Sequence, residues 1–445
     1  MAQILYNRRK EGSSWPSSCR PFSRRRARYG LRLLAGRGGL AHEFTWACLL
    51  EDIGNAGFLR GGELVITTGL AALQEHWLRD FVHALEGRQA AALILNTGKY
   101  LRESDITDEV RTFCEAHSFP LLLMPWQTHI ADLMQEVCAL LMEQAQKERR
   151  TEQLLCALLD DTAAPKPPAG ETVLPLYPGA SGRPVLLTGR QLAALRELTE
   201  RGFHPRRFTL TVFDLGAPLA PPEDADLSRR WRRALAGLPL QLFFFRGAPL
   251  LLRELPEAQE ADALPLAALA AAAPPPALLG GESDPHTDLA ALPAAYREAR
   301  AALIAARTGL CETGAAQEPP PKSAAPALLP FRALGVYRLL FTHPDRALLR
   351  AYAEEHLGAL HRYDAAHHAR LAETLRHYLL TGGSLAQTAA RTYTHRNTAG
   401  YRIRKVKELT HATLAATEER FAYLLAFAVE RFEASLAAEE RRPPA

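Results

Sequence analysis

Three short apolar runs, at residues 63–68, 91–96 and 120–125, recur at nearly even spacing, and each is followed by sequence with helical periodicity. Runs of this length and hydrophobicity read as strands buried on both faces of a sheet. Strands that alternate with helices join into a parallel sheet through right-handed crossovers. Residues 31–155 are therefore expected to form one α/β domain. Its last helix should begin near Ile130, and a Pro/Ala/Gly linker over 162–170 follows it.

The chain has 445 residues, more than one ordinary core holds, so further domains follow. Residues 171–315 carry strand-like segments at 208–213 and 240–245, a helical segment at 227–236 between them and another helix at 289–307. A second domain, of α+β type, is expected there. After a linker over 312–330 almost everything reads as helix: 332–341, 347–357, 367–380, 384–391, 396–409 and a long last helix from about Leu414. Residues 331–440 should thus be all-α, and the fold class is multi-domain, α/β plus all-α.

Net charge says little about partners. The whole chain is +4, but residues 1–32 hold nine Lys and Arg against Glu11 and carry +8, which leaves −4 for the rest. Residues 1–30 read as a basic leader without fixed structure, and they lack the apolar core of a signal peptide. The longest apolar stretch, 263–279, is interrupted by Pro265 and by Pro274, Pro275 and Pro276, short of the roughly 20 uninterrupted residues a spanning helix needs. No membrane segment is expected. Six cysteines with no CxxC pair and no Cys/His cluster at zinc spacing fit reduced thiols in a cytoplasmic chain.

Enzymatic readings find little support, and neither a catalytic residue, a metal nor a cofactor is expected. Asp364 with His367 and His368 has the spacing of metal ligands on a helix, yet Asp364 reads better as the N-cap of the 367–380 helix. Lys99, after Asn96, Thr97 and Gly98, lacks the Gly-rich run and the Ser/Thr of a phosphate loop.

The informative motif lies near the C-terminus. Ser384 and Gln387 have the spacing of a capping box, which starts a short helix that breaks at Thr392, Tyr393 and Thr394 and resumes near His395. Two helices of this length joined by so short a break read as a helix-turn-helix. On the second helix Ala399, Ile403 and Val406 recur at core-facing spacing, so Arg396, Asn397, Gly400, Arg404 and Lys407 face outward, with Thr398, Tyr401, Arg402 and Lys405 on the flanks. From Arg391 to Lys407 there are six Lys and Arg and no acid, inside a region that is otherwise net negative. That is the electrostatic footprint of double-stranded DNA, although a charge run is more often a solvated face. Arg396 and Asn397, at the leading end of the helix, are the candidates for base readout, because Arg forks onto guanine and Asn onto adenine. Arg391, Thr398, Tyr401, Arg402, Arg404 and Lys405 are candidates for phosphate and flanking contacts.

At these residues the chain resembles the PucR (purine-catabolism regulator) family. Thr388-Ala389, then His395-Arg396-Asn397-Thr398, then Tyr401-Arg402 follow the pattern of that family's C-terminal helix-turn-helix. Tyr363-Asp364, Leu371, Thr374-Leu375 and Tyr378-Leu379 are similar to its lead-in. The stretch Gly61-Gly62-Glu63-Leu64-Val65-Ile66-Thr67-Thr68-Gly69 is similar to the family's N-terminal GGELVLTTG, and Tyr296-Arg297-Glu298-Ala299 to the end of its GGDEF-like domain. The chain departs from the pattern at Thr392, Thr394 and Ala399, where the family has bulkier apolar residues.

The resemblance implies a transcription regulator with an N-terminal α/β sensor domain, a degenerate cyclase-like α+β middle domain and a C-terminal helix-turn-helix domain. Gly280-Gly281-Glu282-Ser283-Asp284 is similar to the cyclase signature but lacks its second acid and its Phe, and it reads as a turn ahead of the 289–307 helix. The resemblance also implies a small-molecule effector, with purine breakdown products or other nitrogen compounds among family ligands. In open parallel sheets ligands bind at the carboxyl ends of the strands, which points to Thr67, Thr68, Asn96, Thr97 and Trp126, residue types that equally serve ordinary turns. A homodimer or higher homo-oligomer is expected from the way such modules read paired half-sites. Two rival readings stay open: a nitrogen-metabolism enzyme built on the N-terminal sheet, and a regulator whose DNA binding has decayed.

Overall fold

A computed structural model describes residues 26–41, 44–72, 76–160, 174–176, 185–216, 223–235, 238–256, 263–273, 278–310 and 326–441. The leader up to residue 25, the 162–170 linker and most of the 312–330 linker lie outside the described residues. The chain divides into two units, Met1–Leu155 and Cys156–Ala445.

The first unit is built on strands β1 (Arg32–Ala35), β2 (Trp46–Leu49), β3 (Glu63–Thr67), β4 (Ala92–Thr97) and β5 (Leu121–Pro125). Its helices are α1 (Trp77–Gly87), α2 (Asp108–Ala116) and α3 (Ile130–Leu159), the last of which contains the division between the units. The sheet order is β1-β5-β4-β3-β2, with β2 to β5 mutually parallel and β1 antiparallel to β5. The three apolar runs are the three central strands. Because successive side chains point to opposite faces, Leu64, Ile66, Ile94, Leu122 and Met124 pack with Leu133 and Val137 of α3, while Val65, Leu93, Leu95 and Leu121 pack with Phe81, Leu85, Val110 and Cys114 of α1 and α2. Both faces are covered, so the strands are apolar throughout rather than alternating. The outer strands carry no such signal: each is four residues long and partly exposed, and edge strand β2 presents Trp46 and Leu49 to solvent. Residues 26–30, expected to lie in the leader, belong to this unit. Arg26–Tyr29 forms a 3₁₀ turn, and the buried Tyr29 donates its hydroxyl to Glu136 on α3.

In the second unit β6 (Leu174–Leu176) and β7 (Val185–Leu187) pair antiparallel ahead of α4 (Gly189–Glu200). There follow β8 (Phe208–Asp214), α5 (Glu223–Ala234), β9 (Leu240–Phe245), β10 (Ala248–Glu254), α6 (Leu266–Ala272), β11 (Leu279–Glu282) and α7 (Leu292–Thr308). The sheet order β12-β11-β8-β10-β9, with β12 (Ala327–Pro330) added in parallel to β11, contains the split β-α-β-β-α-β arrangement. Gly280, Gly281 and Glu282 were expected in a turn and instead lie in β11, paired on both sides. The reason is packing: a Cβ on Gly281 would stand 2.1 Å from the Ala299 carbonyl oxygen, so the glycine lets α7 lie against the strand backbone. Glu282 accepts from Thr209 and Arg253, both at 3.1 Å, inside the unit.

The C-terminal helices are α8 (Tyr337–Thr342), α9 (Arg346–His367), α10 (Leu371–Leu380), α11 (Leu385–Arg391), α12 (Arg396–Thr410) and α13 (Thr417–Glu440). They share a unit with the middle sheet. Val429 and Phe432 of α13 enter one core with Ala301, Ala302 and Ala305 of α7, and Arg307 reaches both Asp214 (3.0 Å) and Glu439 (2.8 and 2.6 Å). Several helix expectations change, and the 367–380 helix begins only at Leu371. The 332–341 helix is split at Gly335, whose φ of +56° ends a 3₁₀ turn. The 347–357 helix continues to His367, so Asp364 lies in the last turn of α9, from where its carboxylate caps the next helix by accepting from the N–H groups of Leu371 (2.7 Å) and Ala372 (3.0 Å). The final helix starts at Thr417, with Leu414 buried in the preceding loop; Phe421 is exposed, and Tyr423, Ala426, Val429 and Phe432 are buried. No helix among the described residues is long and apolar enough to cross a membrane.

Candidate nucleic-acid interface

Helix α11 begins at Ser384, whose Oγ accepts from the Gln387 N–H at 3.4 Å. The expected reciprocal bond from Gln387 is replaced: the Ser384 N–H donates to the Thr381 carbonyl at 3.3 Å. After Arg391 the chain bends through Thr392, Tyr393 (φ +52°) and Thr394. The Thr394 N–H returns to the Ala389 carbonyl at 2.9 Å, which closes the end of α11. His395 then caps α12, its Nδ1 accepting from the Asn397 N–H at 3.2 Å.

Where bulkier apolar residues would stiffen this bend by packing, threonine hydroxyls do so by hydrogen bonding. Thr388 donates to the Ser384 carbonyl at 2.7 Å and lies 3.1 Å from the Thr381 hydroxyl. Thr392 donates to the Thr388 carbonyl at 2.9 Å and lies 2.9 Å from the Thr394 hydroxyl. Thr388 and Thr392 are buried, so these bonds form away from water, where leaving such groups unpaired is costly.

Ala399, Ile403 and Val406 are the buried residues of α12. Arg396, Asn397, Thr398, Tyr401 and Arg404 are exposed, as is Arg391 at the end of α11. Gly400 and Lys407, expected on the outward face, are only partly exposed, and Gly400 sits beside Leu385 of α11; Tyr401 is the more outward residue. Arg402 is partly buried and donates to Thr374 Oγ1 at 3.3 Å, which ties α12 to α10. Lys405 pairs with Glu408 at 2.8 Å and lies 5.6 Å from the centre of the Tyr363 ring. Its hydrogen bond to Glu408 holds the ammonium pKa above the usual lysine range. The open basic groups of this face are therefore Arg391, Arg396 and Arg404, with Asn397 and Tyr401 between them. Sequence reasoning passed over Tyr393, which is 96% exposed at the tip of the bend.

At the carboxyl end of the first unit's sheet, the polar groups expected to meet an effector are engaged within the fold. The Glu51 carboxylate accepts from Thr67 Oγ1 (2.9 Å), from the Thr68 N–H and hydroxyl (both 2.8 Å) and from the Leu70 N–H (3.1 Å). Asn96 donates to the Pro125 carbonyl at 3.0 Å, and Thr97 to the Met124 carbonyl at 3.5 Å. Trp126 is partly exposed and meets Tyr100 edge-on at 5.6 Å, with Lys99 Nζ 4.9 Å from the Tyr100 ring and 5.4 Å from the Trp126 ring. Successive strands of this sheet are neighbours from β2 to β5, so no reversal of strand order opens a crevice among them.

Two short capped helices joined by a rigid bend, with an exposed basic leading turn on the second, define a helix-turn-helix DNA-binding protein. Family models agree at both ends of the chain: residues 24–141 match the purine catabolism regulatory protein-like family, and residues 371–429 match the PucR C-terminal helix-turn-helix domain. The chain thus carries an N-terminal domain of the PucR family and a PucR C-terminal helix-turn-helix domain, a combination that supports a transcription regulator. No curated protein sequence matches it. Among solved structures, the regulator of polyketide synthase expression from Bifidobacterium adolescentis is 17% identical, with a TM-score of 0.27, over 64% of this chain and 99% of that one.

Proposed function

We propose that this regulator binds DNA sequence-selectively, with α12 in the major groove. In this reading Arg396 and Asn397 read base edges, Arg391, Thr398, Tyr401 and Arg404 meet the backbone and groove walls, and Arg402 and Lys405 position the helix. The observation that carries it is the exposed Arg396–Asn397 pair on the first turn of a helix whose opposite side is fully buried. The reading extends to a homodimer on paired half-sites, with the first unit sensing a small polar metabolite of purine or other nitrogen-compound catabolism and the middle sheet a degenerate GGDEF-like domain serving assembly. The surface best suited to such a metabolite is the group Lys99, Tyr100 and Trp126, because the Thr67, Thr68 and Asn96 side chains already serve the fold.

Retardation of duplexes from the chain's own locus at two salt concentrations tests the DNA reading, comparing wild type with the double variant Arg396→Ala, Asn397→Ala. Selective binding should disappear in the variant while weak, salt-sensitive binding persists. Equal selectivity in both chains would overturn the assignment of base readout to α12.

A further inference from the structure

We propose that Tyr393 is a DNA-backbone contact that seats the reading helix, its phenol hydroxyl donating to a phosphate oxygen beside the groove that α12 enters. This rests on the helix-turn-helix reading above and adds to it a residue outside the recognition helix.

Three observations converge on this side chain. It is 96% exposed, the most open of the large side chains with apolar bodies among the described residues, whereas Tyr401 on the same motif is 57% exposed. Its backbone has φ +52°, a conformation that glycine adopts at lower cost than a residue bearing a Cβ. It stands three residues before Arg396, in a bend whose neighbours Thr392 and Thr394 are locked together by their hydroxyls. For folding alone, glycine would serve better here, since it relieves the backbone and forfeits almost no buried surface. A phenol held out on a rigid bend next to the first turn of α12 has chemistry that suits a phosphodiester: one O–H donor and a flat apolar ring to lie along the sugar. Arg391 and Arg396 on either side supply the positive field that draws the same backbone in.

The experiment uses the full chain and a duplex that wild type selects from a randomised pool, with a scrambled duplex as competitor. Tyr393→Gly should melt at or above the wild-type temperature, yet bind the selected duplex about threefold to tenfold more weakly. Its ratio of selected to scrambled affinity should stay unchanged, because a phosphate contact carries no sequence information. Tyr393→Phe should reproduce the loss. Wild-type affinity in Tyr393→Gly, or in Tyr393→Phe, overturns the proposal, and so does a loss confined to the selected duplex. Asn397→Ala in parallel separates the two readings. If it loses selectivity while Tyr393→Gly binds normally, only the Tyr393 contact falls. If wild type enriches no sequence at all, the helix-turn-helix reading fails and takes the contact with it.

Discussion

The hydroxyls of Thr392 and Thr394 lie 2.9 Å apart across the bend between α11 and α12. With Thr392 also donating to the Thr388 carbonyl, and Thr388 to that of Ser384, the bend is held by directional bonds through one short segment of chain. A DNA-reading helix needs its leading turn fixed to a fraction of an ångström, and bonds between buried groups fix geometry more sharply than apolar contact does.

Thr392→Ala should therefore destabilise the chain by about 1–2 kcal/mol, through the lost bond to Thr388 and the unpaired Thr394 hydroxyl. Urea titration of the helical signal measures it. A variant as stable as wild type would mean that the bend is held by apolar contacts instead.

Gly400 lies inside α12, and a Cβ placed there meets only the Leu385 Cδ1, at 3.8 Å, an ordinary contact. Glycine within a helix costs roughly 1 kcal/mol relative to alanine. Gly400→Ala should raise stability by about 0.5–1 kcal/mol, read as a higher melting temperature. A lower one would show that α11 and α12 approach more closely than this geometry allows.

The Glu51 carboxylate gathers four donors from Thr67, Thr68 and Leu70 at the carboxyl end of β3. Glu51→Gln turns one acceptor into a donor facing N–H and O–H groups, and should cost about 1–3 kcal/mol. If denaturant unfolding of Glu51→Gln matches that of wild type, Glu51 is free to serve a ligand instead of the fold.

What the sequence shows and what it hides follows from the range over which each feature is determined. The central strands are legible because burial on both faces requires unbroken apolar runs, and the buried side of α12 because Ala399, Ile403 and Val406 keep helical period. Strands β1 and β2 are hidden, since four partly exposed residues become strands only through the neighbour they pair with. Gly281 looks like turn chemistry until α7 is seen to lie over it. The partner of Thr67 and Thr68 is hidden for the same reason: Glu51, sixteen and seventeen residues earlier, accepts from both hydroxyls only once the sheet has formed. Tyr393 gives no sign in sequence, because its exposure depends on how the bend projects it.

Glu433 on α13 receives Arg346 at 3.0 Å and Arg350 at 2.7 Å, both from α9. Burial by itself would raise its pKa, but the hydrogen bonds and charges of the two guanidinium groups outweigh that and hold it below the ordinary carboxylate range. A carboxylate depressed in the folded chain stabilises it above the unfolded value, about pH 4.3, and the contribution is lost as pH falls through the folded value. Glu433→Gln should accordingly be less stable than wild type at pH 7, and the gap should narrow below about pH 4 as wild type loses the same charge. Melting temperatures of both chains between pH 7 and pH 3 decide it. A gap that stays constant across that range would mean that Glu433 supports the α9–α13 contact through packing, with its charge contributing nothing.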